Sequence, residues 1–167
     1  MRYRISHMIE TDPQTFWEVF FDEAYNRALS IDHLGFSRYD VLSFERHDDG
    51  RITKRIEAAP EVELPGPVKK AFGHVTSYIE AGTFDPSTSR YVVDVIPSAA
   101  ADKIKTKIEI WIEPRGDKRV ERMVEVDNTV KIFGVGKLVE KFLEQQTREA
   151  YSLAAEFTNR WIAEKNL

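Results

Sequence analysis

The apolar positions of this chain change their period along its length, and the changes divide it into elements. From Tyr3, the residues Tyr3, Ile5, His7 and Ile9 share one face while Arg2, Arg4 and Ser6 share the other, the two-residue alternation of a half-buried strand. Thr11-Asp12-Pro13 then supplies a capping residue and a proline suited to a first helical turn. A short helix through Phe16, Trp17, Val19 and Phe20 is predicted, with a second over residues 23–34 that stops at Gly35. Alternation resumes over residues 37–47 and 51–59 around Asp48-Asp49-Gly50, a strong hairpin signal.

Leu64-Pro65-Gly66-Pro67 breaks the pattern, and residues 64–73 read as a structured loop with about one helical turn. Further strands are predicted from about His74 to Phe84 and over residues 90–96, 103–113 and 119–131, with turns at Asp85-Pro86-Ser87 and Pro114-Arg115-Gly116-Asp117. In the long strands Ile104, Thr106, Ile108, Ile110 and Ile112 oppose Lys105, Lys107, Glu109 and Glu113, so one sheet face is buried and the other wet. From Val135 to Glu164 the period becomes helical: Val135, Val139, Phe142, Leu143, Gln146, Ala150, Leu153, Ala154, Phe157 and Trp161 form a broad stripe. The order implies α+β, a curled antiparallel sheet of about seven strands around a long C-terminal helix, with two short helices after the first strand. Residues 1–167 are expected to form a single domain, since no linker or repeat divides them.

The stretch Ile132-Phe133-Gly134-Val135-Gly136-Lys137-Leu138 raises the question of a phosphate loop. A Walker-type loop needs glycines five positions apart and a hydroxyl after the lysine, where Leu138 stands. No third glycine completes a dinucleotide pattern either. The glycines therefore read as a sharp turn carrying the chain from the last strand back across the sheet.

Together with that junction and its continuation Glu140-Lys141, the opening alternating strand, the loop Glu63-Leu64-Pro65-Gly66-Pro67-Val68-Lys69-Lys70 and the ending Ala155-Glu156-Phe157-Thr158-Asn159-Arg160-Trp161 make the whole chain resemble the START-like, or SRPBCC, helix-grip superfamily. The nearest likeness is to a bacterial branch labelled as a domain of unknown function. The resemblance implies a deep, mostly apolar cavity between sheet and helix that holds a lipid or another hydrophobic small molecule. Some START-like relatives are enzymes, aromatase/cyclases and hydrolases among them, so catalysis in the same cavity is the alternative, and a scaffold or chaperone-cofactor domain with a filled cavity is the third reading.

Composition narrows the chemistry. A net charge of −4 speaks against a nucleic-acid partner, and the absence of cysteine removes disulfides, thiolate nucleophiles and zinc–thiolate sites. The four histidines, His7, His33, His47 and His74, show no metal-ligand spacing, and nothing calls for a cofactor. No Ser–His–Asp or paired-carboxylate constellation is readable. The N-terminus lacks the apolar run of a signal peptide, so a cytoplasmic location is expected.

Strand alternation places Tyr91, Val93, Ile108, Ile110, Val124 and Val126 on the expected cavity wall, facing Leu138, Phe142 and Gln145 of the terminal helix. Arg122 shares that face. A buried guanidinium needs a partner, either Glu149 or another helix carboxylate, or an acidic ligand head group such as that of a fatty acid. Leu64, Val68 and Phe72 are expected to form a gate, and with Lys69 and Lys70 they suit transient contact with a membrane surface; the alternative is that Phe72 and Val68 plug the cavity end and the lysines are solvated.

Overall fold

The computed structural model describes residues 1–73 and 77–167, with Ala71 described by its backbone. Seven strands, β1 (Arg2–Ile9), β2 (Arg38–Arg46), β3 (Ile52–Ala59), β4 (Tyr78–Asp85), β5 (Arg90–Pro97), β6 (Ile104–Pro114) and β7 (Val120–Val130), form one antiparallel sheet in the order β1-β7-β6-β5-β4-β3-β2. Strands consecutive in sequence are neighbours from β2 to β7, with a short helix between β3 and β4, and β1 closes on β7, pairing Tyr3 with Val126 and Ile5 with Val124. The predicted start of β4 at His74 lies outside the described residues.

Helix α1 (Pro13–Phe20) begins where Asp12 accepts a hydrogen bond from the Thr15 amide at 2.9 Å, and α2 (Glu23–Arg27) where Asp22 accepts from the Tyr25 amide at 2.6 Å. The expected single helix over 23–34 is divided. After Arg27 the turns widen into a π-helical segment, Ala28–His33, which carries Ser30 into a buried position and ends with the Leu34 amide on the Leu29 carbonyl at 2.8 Å. α3 (Gly66–Phe72) fills the Pro-Gly-Pro break, and α4 (Gly136–Lys165) runs for 30 residues.

α4 lies over β1 and β7. The turn before it uses both glycines: Gly134 takes φ +79°, and a Cβ on Gly136 would come within 3.0 Å of the Val130 carbonyl oxygen. The sheet's concave face packs against Trp17, Phe20, Phe21 and Tyr151, while α1, α2 and the C-terminal half of α4 close one end and α3 with the start of α4 closes the other. Among the described residues no helix is long and apolar enough to cross a membrane.

Candidate ligand-binding interior

The register turns the concave face into rows of facing side chains. One row reads Ile52, Phe84, Tyr91, Ile110, Val124 and Ile5; the next reads Lys54, Gly82, Val93, Ile108, Val126 and Tyr3. The third contains Ile56, Glu80, Val95, Thr106 and Asn128, and Ala58 pairs with Tyr78 beyond it. The middle of the face is thus apolar, and polarity rises towards the end that α3 closes.

Lys54 lies across from Gly82 and diagonal to Glu80. Tyr91 crosses the glycine: a Cβ on Gly82 would stand 1.9 Å from the Tyr91 hydroxyl oxygen, so the missing side chain is what lets the phenol lie beside the Lys54 row. Lys54 Nζ stands 5.8 Å from the centre of the Tyr39 ring, and the Tyr39 hydroxyl is buried without a partner among the described residues. Neither Lys54 nor Glu80 makes a hydrogen bond or a contact ion pair among the described residues.

Tyr78, Glu80 and Tyr151 are enclosed by protein, and Lys54 nearly so, yet each keeps accessible surface. These half-exposed side chains stand at the polar end of the concave face, next to the fully buried apolar cluster. The enclosure has an electrostatic signature. Burial pushes the Glu80 carboxyl up against the pull of Lys54, and pushes the Lys54 ammonium down against the pull of Glu80 and Glu23. Burial likewise raises the phenols of Tyr39, Tyr78, Tyr91 and Tyr151.

The strand residues expected on the wall, Tyr91, Val93, Ile108, Ile110, Val124 and Val126, are buried in one cluster on this face. The helix residues differ. Phe142 is half-buried against the α3 cluster, but Leu138 is 44 % exposed, beside Ile132 and Lys137 at an open surface hollow, and Gln145 is exposed. The expected helix face is corrected by its rotation: α4 buries Val139, Ala154, Ala155, Phe157, Thr158 and Ile162, and a 100° step from Val139 is enough to turn Leu138 outward.

Arg122 is buried, but no carboxylate pairs with it among the described residues, and Glu149 is exposed. The expected helix-carboxylate partner is therefore corrected. One terminal nitrogen donates to the Tyr151 carbonyl at 2.8 Å and meets His7 Nδ1 at 3.2 Å, and the guanidinium lies 5.0 Å from the centre of the Tyr151 ring. Burial and the neighbouring guanidinium hold the His7 imidazole below its ordinary range, so it is neutral and can accept. Arg122 thus ties β7 to β1 and α4, with Nε left without a partner. In the gate region Val68 and Phe72 are buried, and Leu64 half-buried, in a cluster with Ile104 and Val139.

Lys54, Tyr78, Glu80 and Tyr151 were missed by sequence reasoning. The signal was present for three of them: Ile52-Lys54-Ile56-Ala58 and Tyr78-Glu80-Gly82-Phe84 alternate as the recognised wall strands do. Tyr151 carries no such signal, because it lies off the stripe drawn along the helix.

Solved structures of the same architecture define the class. A START superfamily protein from Mycobacterium smegmatis is 19% identical, with a TM-score of 0.65 over 96% of this chain and 98% of that one. Norcoclaurine synthase from Thalictrum flavum is 16% identical, with a TM-score of 0.69 over 98% and 87%. The Zhui aromatase/cyclase from Streptomyces sp. R1128 is 11% identical, with a TM-score of 0.65 over 96% and 94%. The fold is the START-like helix-grip fold. Within it, the chain belongs to the family described as "Protein of unknown function (DUF2505)", which matches residues 4–162. No curated protein matches the sequence.

Proposed function

We propose that the protein binds a lipid or another hydrophobic small molecule between the concave face and α4. The observation that carries this reading is the enclosed but accessible state of Tyr78, Glu80 and Tyr151. Protein interiors are close-packed, and a core built for stability alone would fill such space with apolar side chains. The apolar face of Tyr91, Val93, Ile108, Ile110, Val124 and Val126 adjoins these groups, and an apolar tail would pack on it by displacing side chains that cover it in this conformation. Likeness to the START superfamily protein supports the reading by analogy of fold. Native mass spectrometry of the purified protein is the test: an apolar adduct that is lost on delipidation is expected, and a protein that carries none and binds no neutral dye such as Nile red overturns the reading.

Catalysis in the same interior is the second reading, favoured by the Glu80 carboxyl beside Lys54, both tuned by burial as acid–base groups require. The fold is shared with an aromatase/cyclase. Turnover of a polyketide or ester substrate that disappears in Glu80→Gln would establish it.

Entry belongs to the α3 end in this proposal, with Leu64, Val68 and Phe72 as the gate. Exposed Lys69 and Lys70 on α3, and exposed Lys131, Phe133 and Lys137 at the adjoining turn, suit transient contact with an anionic bilayer. Flotation with anionic liposomes should fail for Lys69→Glu/Lys70→Glu; equal flotation of both proteins, or of neither, leaves Val68 and Phe72 as a plug.

A further inference from the structure

We propose that Lys54 anchors the polar end of the ligand, and that this end is an acceptor-rich anion, a carboxylate on an apolar tail. The inference rests on the binding reading above and adds the chemistry of the head group. It starts from a count of donors and acceptors on the polar end of the concave face. Lys54 brings three N–H donors and no acceptor, and Tyr39, Tyr78, Tyr91 and Tyr151 bring one O–H each. None of these groups makes a hydrogen bond among the described residues. The Tyr39 hydroxyl is fully buried in that state, on a residue 5 % exposed. Against these donors stand two carboxyls, Glu80 and the exposed Glu23 of α2, and the buried Asn128 Oδ1 further along the Glu80 row, so the donors still outnumber the acceptors beside Lys54.

Unmade hydrogen bonds in an enclosed site are costly, so a surplus of donors selects a ligand that supplies acceptors. A carboxylate accepts only, through two oxygens and about four lone pairs, and its charge matches the ammonium. Burial raises the Glu80 carboxyl above its ordinary value, which weakens it as a competitor for the ammonium. The placement also suits an amphiphile. Lys54 opens the row that continues through Gly82 to Val93, Ile108 and Val126, so a head group at the lysine has apolar side chains of the same row next to it, on which a tail would pack by displacing what covers them. The other interior cation is poorly placed for this, because Arg122 is directed at the Tyr151 carbonyl and His7 beneath α4.

Nile red displacement by decanoic acid and by methyl decanoate tests the inference on wild type, Lys54→Met, Lys54→Arg and Arg122→Met, each checked for folding by circular dichroism. Wild type should prefer the acid by about tenfold or more, the strength of a hydrogen bond to a charged group. The preference should vanish in Lys54→Met, return in Lys54→Arg and remain in Arg122→Met, with the affinity for Nile red measured separately for each of the four proteins. Equal displacement by acid and ester in wild type overturns the carboxylate assignment and leaves the binding reading standing. A preference that survives Lys54→Met but disappears in Arg122→Met moves the anchor to Arg122 and overturns the proposal. Failure of wild type to bind Nile red at all removes the binding reading, and this inference with it.

Discussion

Two cations occupy the same concave face, and the structure treats them oppositely. Arg122, paired in register with Ile112 and His7, is covered by α4, with its donors directed at a helix carbonyl and a neutral imidazole. Lys54, across from Gly82, keeps accessible surface and has no hydrogen-bond partner among the described residues. Both sit between apolar neighbours of the same strand, Val120 and Val124 for the arginine, Ile52 and Ile56 for the lysine. What separates them is the element lying above. A charge under a helix becomes a tie between layers, whereas the charge beside Gly82 and the phenols makes no such tie among the described residues.

The largest effect that could break this contrast is on stability. Arg122→Ala should destabilise the fold by about 2–4 kcal/mol, through the lost charge-assisted hydrogen bond and the space left under α4. Lys54→Met should be neutral or stabilising by up to about 1 kcal/mol, because it removes an enclosed charge that gains little in return. Chemical denaturation of both variants checks the pair. Similar losses in the two would mean that Lys54 is as structural as Arg122.

A smaller effect tests how the Lys54 site is built. Gly82→Ala places a methyl 1.9 Å from the Tyr91 hydroxyl oxygen and 2.2 Å from its ring carbon Cζ, and that ring is held by Phe20 and Phe21. The expected cost is about 1–3 kcal/mol, typical of overpacking. In a Tyr91→Leu background most of that cost should disappear, and a double-mutant cycle would measure the coupling. An unchanged cost would place the clash elsewhere.

The smallest effect is the pH dependence contributed by Glu80. Its folded carboxyl holds its proton more tightly than the ordinary value of 4.5, so the folded state binds more protons than the unfolded state between the two values. Its contribution to stability is therefore full below about pH 4.5, declines as pH rises through the raised folded value, and stays low above it. Each tenfold difference in proton affinity between the states corresponds to about 1.4 kcal/mol. Glu80→Gln should remove that decline and make the variant the more stable protein at neutral pH. Parallel stability–pH curves for variant and wild type would show that the carboxyl is not enclosed.

The local patterns carried much of this structure. Two-residue alternation marked the buried face of β5, β6 and β7 from Tyr91 to Val126, Thr11-Asp12-Pro13 marked the start of α1, and Gly134-Val135-Gly136 marked the turn into α4. The same alternation carried Lys54 and Glu80, but a lysine and a glutamate in strands look like solvent-facing charges until the curl of the sheet is known.

Sequence alone determined the strands, the inward faces of β5, β6 and β7 and the long terminal helix, because each follows from periods a few residues long that any segment carries by itself. Tertiary structure decided the rest. The closure of β1 on β7 brings together residues from opposite ends of the chain, and no local period encodes that pairing. The rotation of α4 was undetermined because its stripe is wide enough to bury several alternative faces; packing over β1 and β7 selected Val139 and turned Leu138 and Gln145 outward. That same rotation laid the Tyr151 carbonyl against Arg122, whereas Lys54 makes no hydrogen bond among the described residues, so the different surroundings of the two cations were set by contacts between distant parts of the chain.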